Sequence, residues 1–255
     1  MKKTNKWALL GVAGMLSGLC VTTLHAQQKD YEAVELKESG TIVGVVRYEG
    51  KVPKPKELKV TTADQPCHKG PIMSEKLVLS ADKKVQFAVA SIKGIKRGKS
   101  FPKPDAQNPV TLDQQGCRFL PHVITVPLGH TLRILNSDGI LHNVHAHTMI
   151  NDAFNRAMPP KVTQMDVSFA YPERIKFTCD VHGWMKSYVV VAEHPYYAVT
   201  GDGGTFRFEN VPIGTHTIEV WHEALGKQKQ EVTVVAGEEV TIEFVLQRKK
   251  KRGKR

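Results

Sequence analysis

Residues 175–191 constrain the fold most tightly. Ile175, Phe177 and Cys179 alternate with Lys176 and Thr178, and a second apolar run follows at 188–191. An alternation of period two is a strand with one buried face, and it puts Cys179 inward at the strand's end. Between the two runs lies Cys179-Asp180-Val181-His182-Gly183-Trp184-Met185, which brings a thiol, an imidazole and a thioether into one short loop with spacing Cys-x2-His-x2-Met. A strand–loop–strand unit of this kind holds side chains rigidly. Upstream, residues 136–144 end on His142-Asn143-Val144 and offer a second imidazole.

The rest of the chain agrees with an all-β reading. No long amphipathic helix is legible. Short alternating runs are punctuated by Gly, Pro, Asn and Asp, the pattern of β-sandwiches. Strands are expected over 41–48, 77–79 and 85–92 in an N-terminal segment spanning 40–104. Its stretch Val52-Pro53-Lys54-Pro55-Lys56 is too Pro-rich for a central strand. Residues 94–116 read as a connection. A second segment, 117–192, holds strands at 123–126 and 131–135 around Pro127-Leu128-Gly129, then the ligand loop. A third, 193–247, has turns at 200–204, 210–215 and 236–238. These flank Phe206 and Phe208, residues 217–221, Val232 and Val234, and the one-faced run Val240, Ile242, Phe244, Leu246.

The N-terminus reads as a secretory signal over 1–26. Lys2, Lys3 and Lys6 precede an uncharged apolar region over 8–24, and His25-Ala26-Gln27 offers a cleavage site. Export to the periplasm or beyond then sets the cysteine arithmetic. Cys20 departs with the signal, and if Cys179 binds metal, Cys67 and Cys117 are left to pair as a disulfide. No Cys-x2-Cys-His is present, so c-type haem attachment has no signal. The formal charge of +11 is also misleading. Three positive charges sit in the signal and seven in residues 248–255, so the body between is nearly neutral. The basic tail is expected to be disordered, either simply solvated or in contact with an anionic surface. Nucleic acid is not expected as a partner of an exported chain.

The ligand types point to copper. Thiolate and thioether suit Cu(I), imidazole suits both oxidation states, and two His, one Cys and a weak axial Met form a type 1 centre. Met185 is the least specific of the four, since thioethers also fill core gaps. Zinc could take the same ligands, although structural zinc more often uses paired Cys-x2–4-Cys. His145 and His147 read as exposed histidines on a strand edge; His68, His122 and His222 have no partner set in the sequence. Trp184 either shields the metal or packs in the core.

Residues 120–192 resemble the cupredoxins, with the short ligand loop of amicyanin. The resemblance implies a Greek-key sandwich, one type 1 copper, and His142, Cys179, His182 and Met185 as ligands. It also implies that Asn143 ties the two ligand loops and donates a backbone hydrogen bond towards the sulfur. The Gly-rich pattern over 201–246 resembles a carboxypeptidase regulatory-like domain, a transthyretin-like sandwich without catalysis of its own. Its usual first strand resembles Gly40-Thr41-Ile42-Val43-Gly44-Val45-Val46, which suggests that the first and last segments form one sandwich with the cupredoxin-like part inserted. The whole is similar to exported bacterial proteins labelled methylamine-utilisation-like. The function implied is that of an exported copper electron carrier, not an enzyme, serving a redox partner protein, with His182 as the electron's exit where its ring edge reaches solvent. The alternative is a structural, adhesive or copper-capturing module without redox turnover.

Overall fold

The computed structural model describes residues 31–60, 67, 70–105 and 107–248; the signal expected over 1–26, Cys20, His68 and the tail beyond Arg248 lie outside them. The described chain is all-β, and its strands build two sandwiches with separate cores. No helix among the described residues is long and apolar enough to cross a membrane.

One sandwich is made from both ends of the chain. A short β1 (Glu32–Ala33) is followed by β2 (Ser39–Glu49), whose burial alternates strictly, and then by β3 (Val89–Lys93) and β4 (Arg97–Gly98). From the other end come β14 (Tyr197–Val199), β15 (Thr205–Pro212), β16 (Gly214–His222), β17 (Gly226–Val234) and β18 (Glu239–Gln247). β2 lies between β15 and a parallel β18, and β3 lies between β14 and β16, with β17 outermost. The two sheets bury Ile42, Val46, Ile92, Phe206, Ile218 and Phe244 against one another. Sheet-to-turn packing is close at Gly40, where a Cβ would stand 2.5 Å from the Val235 carbonyl oxygen.

The other sandwich occupies the middle of the chain. It comprises β5 (Val110–Gln114), β6 (Phe119–Leu120), β7 (Val123–Pro127), β8 (Leu132–Asn136), β9 (His142–His147), β10 (Phe154–Met158), β11 (Gln164–Val167), β12 (Arg174–Thr178) and β13 (Lys186–Ala192). One sheet runs β10-β9-β12-β13-β7 and the other β11-β8-β5-β6. Their inner faces bury Leu112, Phe119, Leu132, Ile134, Ile175 and Phe177.

Four expectations need correction. Residues 94–116 are not merely a connection, because β5 lies there and pairs with both β6 and β8. Residues 77–79 form no strand; Leu79 makes only an isolated bridge to Val85. The strand expected over 85–92 begins at Val89, since Phe87 takes a left-handed φ of 61° that breaks extended pairing. His145 and His147 are not on a sheet edge, because β9 is flanked by β10 and β12.

Candidate metal centre

Local hydrogen bonds fix the segments that carry the ligand-type side chains. Asn136, the last residue of β8, donates through its buried amide to the carbonyls of Ile140 at 2.8 Å and Met158 at 2.9 Å. That fixes the turn leading to His142 at the start of β9. Cys179 follows β12 on the inward face, continuing the buried series Ile175 and Phe177. The loop after it is closed by the Met185 N–H on the His182 carbonyl at 2.8 Å. His142, Cys179, His182 and Met185 end up 0, 1, 2 and 2% exposed.

Three of these side chains, His142, Cys179 and His182, bring their donor atoms together. Nδ1 of His142 and Nδ1 of His182 are 2.9 Å apart, and Cys179 Sγ lies 4.0 Å from the first and 3.7 Å from the second. A point in the plane of these atoms is about 2.1 Å from all three, the bond length range of first-row metals to imidazole and thiolate. Two borderline nitrogens and one soft sulfur, all buried around such a point, fit copper. Met185 is buried in the same core cluster.

Around the donors lies a set of fixed dipoles. The backbone N–H groups of Asn143 and His182 each approach Cys179 Sγ at 3.4 Å. Burial is the largest influence on the Cys179 thiol and pushes it up. Hydrogen bonding to His142 and the backbone N–H groups outweighs that, and the thiol falls below its ordinary value. The Asn143 side chain accepts from the Asp180 N–H and, at 3.4 Å, from the Val181 N–H, and donates to Asn155, which in turn donates to Asp180 at 2.7 Å. The two ligand-bearing segments are thus laced together.

One residue of the centre was not singled out in the sequence. The Asp138 carboxylate bonds His142 Nε2 at 2.9 Å and accepts the N–H groups of Gly116 at 2.6 Å and Cys117 at 2.9 Å. Burial would push His142 down, but Asp138 and the Cys179 sulfur reverse this and raise it to about 9 in the metal-free centre. A metal must therefore displace a proton there. A carboxylate on the outer nitrogen of a ligating histidine fixes its tautomer and orientation. Asp138 resembles any loop aspartate, and only its spacing of four residues before His142 could have drawn notice.

The other histidines are also placed. His145 Nδ1 lies 3.2 Å from Asp180, and His147 Nε2 lies 2.7 Å from Thr178 Oγ1, with the two rings stacked at 4.0 Å. His122 meets Glu223 at 2.5 Å across the two sandwiches, and Glu223 also takes Lys186. His222 is fully buried in the terminal sandwich. Trp184 donates to the Cys117 carbonyl at 3.0 Å, with its ring 5.3 Å from that of His182. Cys67 and Cys117 are joined in a disulfide, with Cα atoms 5.4 Å apart. His182 is 2% exposed, with Trp184 and the cystine against it, so the condition set for it as the electron's exit, a ring edge open to solvent, is not met.

Fold and site together define an all-β protein of two sandwiches with a buried His–Cys–His cluster in one of them. Residues 186–247 match the carboxypeptidase regulatory-like domain family. That match spans β13 to β18, while β2 and β3, which complete the terminal sandwich, lie outside it. No curated protein matches the chain. Among solved structures, the chain is similar to amicyanin from Paracoccus versutus, with 23% identity over 47% of this chain and 93% of that one, at a TM-score of 0.30. It is similar to a purple cupredoxin from Nitrosopumilus maritimus, with 18% identity over 32% and 99% of the chains and a TM-score of 0.28. A copper-containing nitrite reductase from Thermus scotoductus is 22% identical over 33% of this chain, at a TM-score of 0.31; the match spans only 22% of that enzyme.

Proposed function

We propose that this chain is an exported electron-transfer protein holding one type 1 copper through His142, Cys179, His182 and Met185. The observation that carries the reading is the buried triangle of two Nδ1 atoms and one Sγ, centred about 2.1 Å from each atom. Copper bound there would supply one-electron chemistry. The residues do the rest. Burial excludes water, Asn143 and Asp138 hold the donors still, and two N–H groups temper the sulfur's charge. Rigid donors change little between oxidation states, which favours transfer, and four protein ligands leave no coordination position for a substrate. The reading is therefore a carrier rather than an enzyme, with a redox partner protein. The terminal sandwich would position or present it.

A second reading has one observation in its favour. Both imidazoles are sealed from solvent, at 0 and 2% exposure, which suits a copper-capturing module that does not turn over electrons. Visible and electron-paramagnetic-resonance spectra of the chain without residues 1–26, after Cu(II) loading, separate the two. The carrier reading expects an intense sulfur-to-copper band with narrow copper hyperfine splitting, both abolished in Cys179→Ser. A colourless protein whose ordinary Cu(II) signal survives that substitution would refute it.

A further inference from the structure

The four inner donors are 0–2% exposed, so almost none of their surface is open to a hydrated ion. On the His182 side the centre is closed by a cystine. The Sγ atoms of Cys67 and Cys117 and a ring nitrogen of His182 all lie within 4.8 Å of one another, a spread that one ion can bridge. His182 is therefore shared between two donor groups, the inner one with His142 and Cys179 and an outer one with the two cystine sulfurs. Cys117 is buried and Cys67 is partly exposed, so the outer group leads from the surface inward.

Cys117 is also connected to the inner centre by hydrogen bonds. Its N–H donates to Asp138 at 2.9 Å, and Asp138 holds His142. Its carbonyl accepts Trp184 Nε1 at 3.0 Å, and the Trp184 ring lies 5.3 Å from that of His182. The segment that closes the centre thus touches the supports of both histidines.

A disulfide is a poor ligand, whereas two thiolates beside an imidazole are a soft set suited to Cu(I). We propose that Cys67 and Cys117, when reduced, form with His182 a Cu(I)-binding site at the outer edge of the centre, and that copper is loaded through it. The chemistry balances with a dithiol reductant. Two electrons and two protons pass from the dithiol to the cystine, giving two thiols and the reductant's own disulfide. Cu(I) binding then releases the thiol protons to solvent. Once the ion has moved to the inner donors, exchange with an external disulfide takes the two electrons back and closes the cystine again. The loading role rests on the copper reading above; the outer site itself does not.

The test uses Cu(I) alone, titrated anaerobically against a chromophoric Cu(I) chelator, on the full mature chain carrying Cys179→Ser. The chain is compared with its cystine intact and after dithiol reduction and removal of the dithiol. The expected result is one Cu(I) bound at least tenfold more tightly by the reduced form, a difference lost on adding Cys67→Ser. Equal affinity and stoichiometry in the two states would overturn the proposal. Circular dichroism checks folding throughout; if Cys67→Ser unfolds the chain, alkylating the two thiols of the reduced Cys179→Ser chain must abolish the extra binding instead. In the chain with Cys179 restored, given Cu(I) for a fixed short time, freed of unbound ion and then oxidised by ferricyanide, which takes one electron from each bound Cu(I), the sulfur-to-copper band should be at least tenfold larger from the reduced form. A blue protein whose Cu(I) binding ignores the cystine refutes this site and leaves the carrier reading. A colourless protein with a cystine-dependent Cu(I) site does the reverse.

Discussion

Replacing Asp138 by alanine tests whether the carboxylate behind His142 governs the metal or merely staples a loop. Asp138→Ala removes three hydrogen bonds at once: the one to His142 Nε2 at 2.9 Å and those from the Gly116 and Cys117 N–H groups. Each N–H left without an acceptor costs about 1–3 kcal/mol. The metal-free protein should therefore lose about 3 kcal/mol, which for a chain of this size lowers Tm by roughly 6–12 °C. The histidine loses its tautomer lock, and loss of such an outer partner weakens metal binding about 10–100-fold. Cu(I) competition with a chromophoric chelator reads the affinity. The assay belongs at about pH 10, above the value of about 9 that His142 takes in the metal-free centre, so that proton displacement does not mask the effect. Asp138→Asn separates the two roles in part, because its single amide oxygen can still accept one of the two loop N–H groups, which bond to different carboxylate oxygens in the parent, while the charge beside the imidazole is gone. It should recover about half of the lost stability and little of the affinity. Copper affinity within twofold of the parent in Asp138→Ala, alongside the loss of Tm, would refute the orienting role.

Glu223→Gln should destabilise the chain by about 3–5 kcal/mol, because this 4% exposed carboxylate is shared by His122 at 2.5 Å and by Lys186 across the two sandwiches. Chemical denaturation measures it, and a loss under 1 kcal/mol would show the pair to be incidental. His194 and His222, 1 and 0% exposed, are depressed by burial to about 4. A base depressed in the fold stays neutral there while the unfolded chain binds the proton, so stability falls as pH drops from about 6.5 towards about 4, by roughly 3 kcal/mol for each histidine. Thermal unfolding across that window should show the decline, with His222→Gln flattening it; a flat profile in the parent would contradict the assignment.

The part of the centre that follows one strand's alternation is plain in the sequence. Ile175, Phe177 and Cys179 occupy successive inward positions, and all three are buried as their period requires. What escapes are relations made by the tertiary fold. Asp138 becomes a histidine's partner only because the Cys117 loop folds over it, and His122 finds Glu223 from 101 residues away. β5 hides behind a Lys- and Pro-rich run and has only two buried side chains, Leu112 and Gln114. β10 is mostly exposed along its length and shows no apolar alternation to read, and β11 alternates only over Met165 and Val167, too short a run to stand out. β2 shows its own period, but its parallel neighbour β18 comes from the far end of the chain.

Sealing and loading are two sides of one arrangement. A loop histidine with an exposed ring edge would offer both an electron exit and a door for the metal, and the sequence of residues 179–185 invites that expectation. Here His182 is 2% exposed, His142 Nε2 is occupied by Asp138, and the cystine and Trp184 stand against the loop. Rigid burial favours fast electron transfer by limiting rearrangement, but it slows exchange of the ion by the same means. A centre sealed this way needs a closure that opens under chemical control. The Cys67–Cys117 bond can be made and broken by thiol–disulfide exchange, and when broken it presents beside His182 ligands of the softness Cu(I) requires.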